Sequence, residues 1–151
     1  MDQEMIDAAS ASLRDEKLIM GESVSKFEEE FARYCGAKHA ISVSSGTNAL
    51  FFVFLALGIN ARKVATQASS FIASSNSIVQ AGGSPVFMDV NAEYTLDPGK
   101  LAECPTTLAG VLPVPLCGHP CMMDEIMEIS EKTGIPVVED ACQAHGAIYK
   151  G

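Results

Sequence analysis

The chain has 151 residues, enough for one domain with its own core, and is 48% apolar against 19% charged, a globular composition. A net charge of −9 excludes the basic face that nucleic-acid phosphates or an anionic membrane surface would require. Five scattered cysteines (Cys35, Cys104, Cys117, Cys121, Cys142) form no disulfide framework, and the acidic start "MDQEMIDAAS" lacks an apolar signal core. The expectation is a cytoplasmic protein with reduced thiols.

In chain order, the first 20 residues read as a helix followed by the loop "KLIMGES". "SKFEEEFARYCG" predicts a second helix: Ser25 and Glu28 fit a capping box, and Gly36 fits the left-handed position after the last turn. Phe27, Phe31 and Tyr34 share one face, which leaves Glu28, Glu29 and Glu30 mostly to water. "AISV" (40–43) predicts a short buried strand, and residues 47–57 a helix, apolar nearly all round and closed by Gly58. The most apolar run, "ALFFVFLALGI" (49–59), is only about half of the ~20 residues that span a bilayer. "KVAT" follows as a strand, "IASSNSIVQAGG" as a helix, "PVFMDV" as a strand and residues 98–104 as a short helix. "AGVLPVPL" is a strand, "MMDEIMEISEKTG" a helix stopped by Gly134, and "IPVVED" the last strand. Apolar strands alternating with helices predict a three-layer α/β/α arrangement with a mostly parallel sheet. Residues 1–36 read as N-terminal helices and 37–151 as one α/β part.

Three features fall at the carboxyl edge of such a sheet, where open α/β folds bind ligands. In "SVSSGTNAL", the N–H groups and hydroxyls of Ser45, Gly46, Thr47 and Asn48 open a desolvated helix, which suits an anion, although Ser45 or Thr47 can equally be a plain cap. Asp140 ends the strand "PVVED", either as a cap or as a carboxylate awaiting a cationic partner. Phe71 ends "QASSF", as core or as a platform for a flat ring. An anion cradle, a carboxylate for a ring nitrogen and an aromatic for a ring face together describe a site for pyridoxal 5'-phosphate.

The stretches "FEEEFARYCGAKHAISVSSGTNAL", "SSFIASSNSIVQAGGSPVFMDV" and "MDEIMEISEKTGIPVVEDACQAHGA" run in the order and spacing of the DegT/DnrJ/StrS sugar aminotransferases. Over nearly its whole length the chain resembles the N-terminal part of their fold-type I large domain. The resemblance implies that Gly46, Thr47 and Asn48 bind the cofactor phosphate. It further implies that Phe71 stacks on the pyridine ring, Asp140 pairs with its nitrogen, and Gln143 lies near its hydroxyl. It implies amino transfer, usually from glutamate, to a nucleotide-linked keto-sugar, in a homodimer.

Several positions depart from that pattern. Gln67 replaces a common proline, Pro115 and Cys117 stand where His and Tyr are frequent, and "INARKVAT" replaces a longer G-D-E-V segment. The family's Schiff-base lysine lies beyond the E-D-x-x-Q motif, and the sequence stops at Gly151, with Lys150 too close to Asp140 to match it. The expectation is a fragment, inactive alone. A non-catalytic binding or oligomerisation module and a related sugar dehydratase stay open as alternatives. Cys117, His119 and Cys121 are one ligand short of structural zinc, and the reading is free buried thiols without a metal. His145 reads as a structural hydrogen-bonding residue near the site, and Met122, Met123 and Met127 as core filling.

Overall fold

In the computed structural model, which describes residues 2–151, the Asp2 carboxylate accepts the Met5 N–H at 2.9 Å and starts α1 (Gln3–Asp15). The second helix, α2 (Glu22–Tyr34), begins earlier than the Ser25 capping box predicts, with Gly21 as its N-cap. The carboxylate of Glu16 replaces that box, accepting the Ser23 N–H at 3.0 Å and the Ser23 hydroxyl at 2.6 Å. Those hydrogen bonds hold the Glu16 carboxyl below its usual range. Gly36 takes the left-handed turn at φ 64, as expected after the last helical residues. Phe27, Phe31 and Tyr34 share a face, with successive ring centroids 5.5 and 6.2 Å apart.

Residues 40–43 are not the predicted buried strand. Ile41 is 82% exposed, and the Ser42 N–H goes to the Glu28 carboxylate at 2.7 Å rather than into a ladder. A strand exists only with a neighbour to take its N–H and C=O groups, and the described residues offer this one none. The backbone divides there, into a unit ending at Val43 and a second unit, Ser44–Gly151.

The second unit is the α/β part. Its helices are α3 (Gly46–Ala56), α4 (Ile72–Gln80), α5 (Pro98–Ala102) and α6 (Met123–Thr133), and its strands are β1 (Lys63–Gln67), β2 (Ser84–Met88) and β3 (Gly110–Leu112). The sheet is parallel with order β2-β1-β3. The predicted "IPVVED" strand is reduced to one parallel bridge, Val137 to Val111, extended by the Asp140 N–H to the Pro113 carbonyl at 3.0 Å.

Alternation along the strands fills the two faces. Val64 and Leu112 face a cluster with Leu50, Phe54, Ile59 and Ile78 under α3 and α4. Ala65 and Val111 face the other, with Leu96, Leu101, Cys121 and Ile126 under α5 and α6. The three-layer α/β/α expectation therefore holds. Phe54 is fully buried, so truncating it to alanine costs about 3–5 kcal/mol. The remainder of α3 is less buried than its composition suggests, with Phe52, Val53 and Leu55 exposed. Among the described residues no helix is long and apolar enough to cross a membrane.

Candidate functional site

The start of α3 is held open by its own cap. Ser45 is extended, its hydroxyl oxygen accepts the Asn48 N–H at 3.2 Å, and its carbonyl takes the Ala49 N–H at 3.0 Å. That leaves the N–H groups of Gly46 and Thr47 as the two helix donors without an intrahelical acceptor. A Cβ at 46 would lie 2.7 Å from the Cys142 sulfur, so a larger residue there would have to push that side chain aside.

Asp140 approaches from the sheet edge. Its side chain is buried, with Oδ2 accepting the Ser74 hydroxyl at 2.6 Å and Oδ1 the Cys142 N–H at 3.4 Å. Among the described residues no lysine or arginine is paired with it. The Cys142 thiol is pushed up to about 11, first by its hydrogen bond to Asp140, then by burial and the carboxylate charge. Burial also raises the Glu139 carboxyl above its usual range.

Two further groups complete the surroundings. Phe71, the N-cap of α4, is 69% exposed, so its ring has a free side. Gln143 uses Oε1 to accept the Cys117 N–H at 2.8 Å, which leaves its Nε2 group as a donor. Cys117 stands at φ 55, a left-handed turn that a side chain rarely adopts.

Gly46, Thr47, Phe71, Asp140 and Gln143 line one cavity of about 200 Å³, with Ser74, Cys142, Leu50 and Val114 among the other lining residues. Asn48 is outside this lining; its side-chain amide donates to the Ser44 hydroxyl at 2.7 Å and braces the turn. Sequence reasoning missed Ser74 and Cys142. The signal for Ser74 was the serine run around Phe71, and for Cys142 its place two residues after Asp140.

The remaining candidates lie elsewhere. His145 is exposed and not among the lining residues. Cys121 is buried in the core beneath α6, its thiol pushed up to about 11 chiefly by burial, whereas Cys117 is exposed. The Lys150 ammonium pairs with Asp124, which raises it above its ordinary value. Gln67 is fully buried: Oε1 accepts the Val114 N–H at 3.0 Å, and Nε2 donates to the Ser69 and Tyr94 carbonyls at 3.1 and 3.3 Å. It ties together three segments at the cavity's edge.

The pattern of the DegT/DnrJ/EryC1/StrS aminotransferase family matches residues 1–151. The chain belongs to that family. Similar relatives include the UDP-4-amino-4,6-dideoxy-N-acetyl-beta-L-altrosamine transaminase of Campylobacter jejuni, 36% identical over 100% of this chain and 41% of the relative. Another is the dTDP-3-amino-3,4,6-trideoxy-alpha-D-glucose transaminase of Streptomyces venezuelae, 40% identical over 96% of this chain and 39% of the relative. The chain thus spans about two-fifths of the length of these curated DegT/DnrJ/EryC1/StrS relatives. The aminotransferase from Psychrobacter cryohalolentis superposes with a TM-score of 0.94 at 38% identity, covering 100% of this chain and 40% of that one. NtdA of Bacillus subtilis, solved with bound cofactor PMP, gives 0.88 at 31% identity, covering 97% of this chain and 35% of that one. Membership of the DegT/DnrJ/EryC1/StrS family and this cofactor-bound relative support pyridoxal 5'-phosphate as the cofactor.

Proposed function

We propose that the chain is the cofactor-holding part of a pyridoxal 5'-phosphate-dependent aminotransferase for a nucleotide-linked keto-sugar, with an amino acid such as glutamate as donor. One observation carries the reading: a buried carboxylate, without a lysine or arginine partner among the described residues, shares a cavity with two open helix N–H groups. An unpaired buried carboxylate is costly, and a protonated ring nitrogen supplies the missing cation. The Gly46 and Thr47 N–H groups, at the positive end of the α3 dipole, suit a phosphate on the same molecule.

The residues present fit that cofactor. Asp140 would hold the proton on the ring nitrogen, Phe71 would cover one ring face, and Gln143 would donate from Nε2 to the ring oxygen. Thr47 would add its hydroxyl to the phosphate cradle, and Asn48 would serve it by bracing Ser44. When bound, the cofactor supplies a protonated ring that withdraws electrons from the carbon bearing the transferred amino group. At about 200 Å³ the cavity is smaller than the ~300–1,000 Å³ of most drug-sized sites, so it is assigned to the cofactor and not to the sugar.

The sugar class rests on the relatives, which are named for UDP- and dTDP-linked amino sugars. Among the described residues no lysine lines the cavity, so the 151-residue chain alone is expected to show no amino transfer at enzyme rates. The exposed Phe52, Val53 and Leu55 on α3 support a homodimer, which sedimentation would reveal. The five free cysteines support the cytoplasm as its compartment. Amide NMR during addition of pyridoxal 5'-phosphate tests the site itself. The Gly46 and Thr47 signals should move and saturate together; if they stay still while other signals move, the assignment fails.

A further inference from the structure

We infer that Ser74 is a positioning residue, which sets the orientation of the Asp140 carboxylate toward a cationic ring nitrogen in the cavity. The inference rests on the cofactor reading above and goes beyond it.

Three serines of α4 are buried, and they use their hydroxyls differently. Ser75 and Ser77 turn back to carbonyls of their own helix, Ile72 at 3.2 Å and Ser74 at 2.8 Å, as helical serines ordinarily do. Ser74 instead donates to Asp140 Oδ2 at 2.6 Å, across 66 residues of sequence. Both side chains are buried and both line the cavity. A hydroxyl bonded to a carboxylate at this distance, out of water, is among the stronger hydrogen bonds a protein makes.

The bond has a directional consequence. Carboxylates rotate about their last torsion, and the short Ser74 bond on Oδ2 holds this one more firmly than the long Cys142 N–H contact on Oδ1, with the Cys142 thiol also bonded to the carboxylate. With Ser74 holding Oδ2, the plane of the carboxylate is set, and with it the direction in which the group meets a cation. Ser74 is also the third residue of α4, directly after the Phe71 cap. One helical turn therefore carries both the exposed aromatic ring and the hydroxyl that fixes the carboxylate. The positive end of α4 lies at the same turn, which favours the anion.

The test is a double-mutant cycle on the 151-residue chain, read by titration with pyridoxal 5'-phosphate and by the induced circular dichroism of the bound cofactor. Ser74→Ala should weaken binding about tenfold and reduce the induced signal, with the far-UV spectrum unchanged. Ser74→Thr, which keeps the hydroxyl, should restore most of both. In an Asp140→Ala background, Ser74→Ala should change binding less than about twofold, because the group it acts through is gone. Equal loss in both backgrounds would make Ser74 merely structural and overturn the inference. Unchanged binding and dichroism in Ser74→Ala alone would also overturn it, while leaving the cofactor reading intact. No saturable binding by the unmutated chain overturns the cofactor reading and this inference together.

Discussion

Replacing Asp140 with asparagine should make Cys142 more reactive, by an amount that follows from the contact between them. The thiol is raised from an ordinary 9.0 to about 11, and Asp140 supplies the first and third causes, its hydrogen bond and its charge, with burial second. At pH 8 a thiol titrating at about 11 is roughly one part in a thousand thiolate, and one at 9 roughly one part in ten. Removing the whole two-unit rise would multiply the thiolate about 100-fold. Each unit of lowered pKa also costs a factor of about three in nucleophilicity, so the net gain is about tenfold. Cys142 is exposed, so water screens part of the carboxylate's effect and a gain of about three- to tenfold is expected. The assay is iodoacetamide labelling at pH 8, quantified by mass spectrometry on the Cys142 peptide with Cys35 as internal reference. The sign is clear from the direction of the shift: labelling of the unmutated chain should keep rising with pH up to about 11, and that of Asp140→Asn should level off earlier. Equal rates and equal pH profiles would refute the account of how the Asp140 carboxylate raises the Cys142 thiol.

Further outcomes follow from other contacts. Gly46→Ala places a Cβ 2.7 Å from the sulfur of the exposed Cys142, whose side chain can rotate away, so it should lower stability by no more than about 1 kcal/mol in a thermal melt, and Cys142→Ala should remove that loss. Gln67→Leu strands the buried Val114 N–H and should cost about 1–3 kcal/mol in urea unfolding, whereas an unchanged midpoint would mean the amide ties nothing together. Phe71→Ala removes an exposed ring and should leave the melting temperature within about 1 °C while weakening cofactor binding about three- to tenfold. A large fall in stability would show instead that the ring belongs to the core.

Local signals explain what could be read in the sequence. Glycines at 36, 58 and 134 all take positive φ directly after helices, and their position alone marked those ends. The apolar strand runs placed β1, β2 and β3, and β1 and β3 are buried along nearly their whole length, as strands covered on both faces are. Phe71 and the Gly46 turn were legible because each sits where a loop meets a helix, and Asp140 because it ends an apolar run at the edge where such folds bind ligands. Sequence reading failed where the partner was distant or lacking. Glu16 displaced the Ser25 capping box by reaching across a loop to Ser23. Residues 40–43 have strand composition but no neighbour to pair with, and composition carries no information on neighbours. The Ser74 bond to Asp140 spans 66 residues, and only the packing of α4 against the sheet brings the two together.

The central claim, that Asp140 and the start of α3 form a pyridoxal 5'-phosphate site, is tested most directly by absorbance titration of the purified chain and its Asp140→Ala variant. The account predicts saturable binding with a shifted cofactor spectrum for the unmutated chain and at least about tenfold weaker binding for the variant. Equal affinity in the two proteins, or no saturation in the unmutated chain, would contradict it.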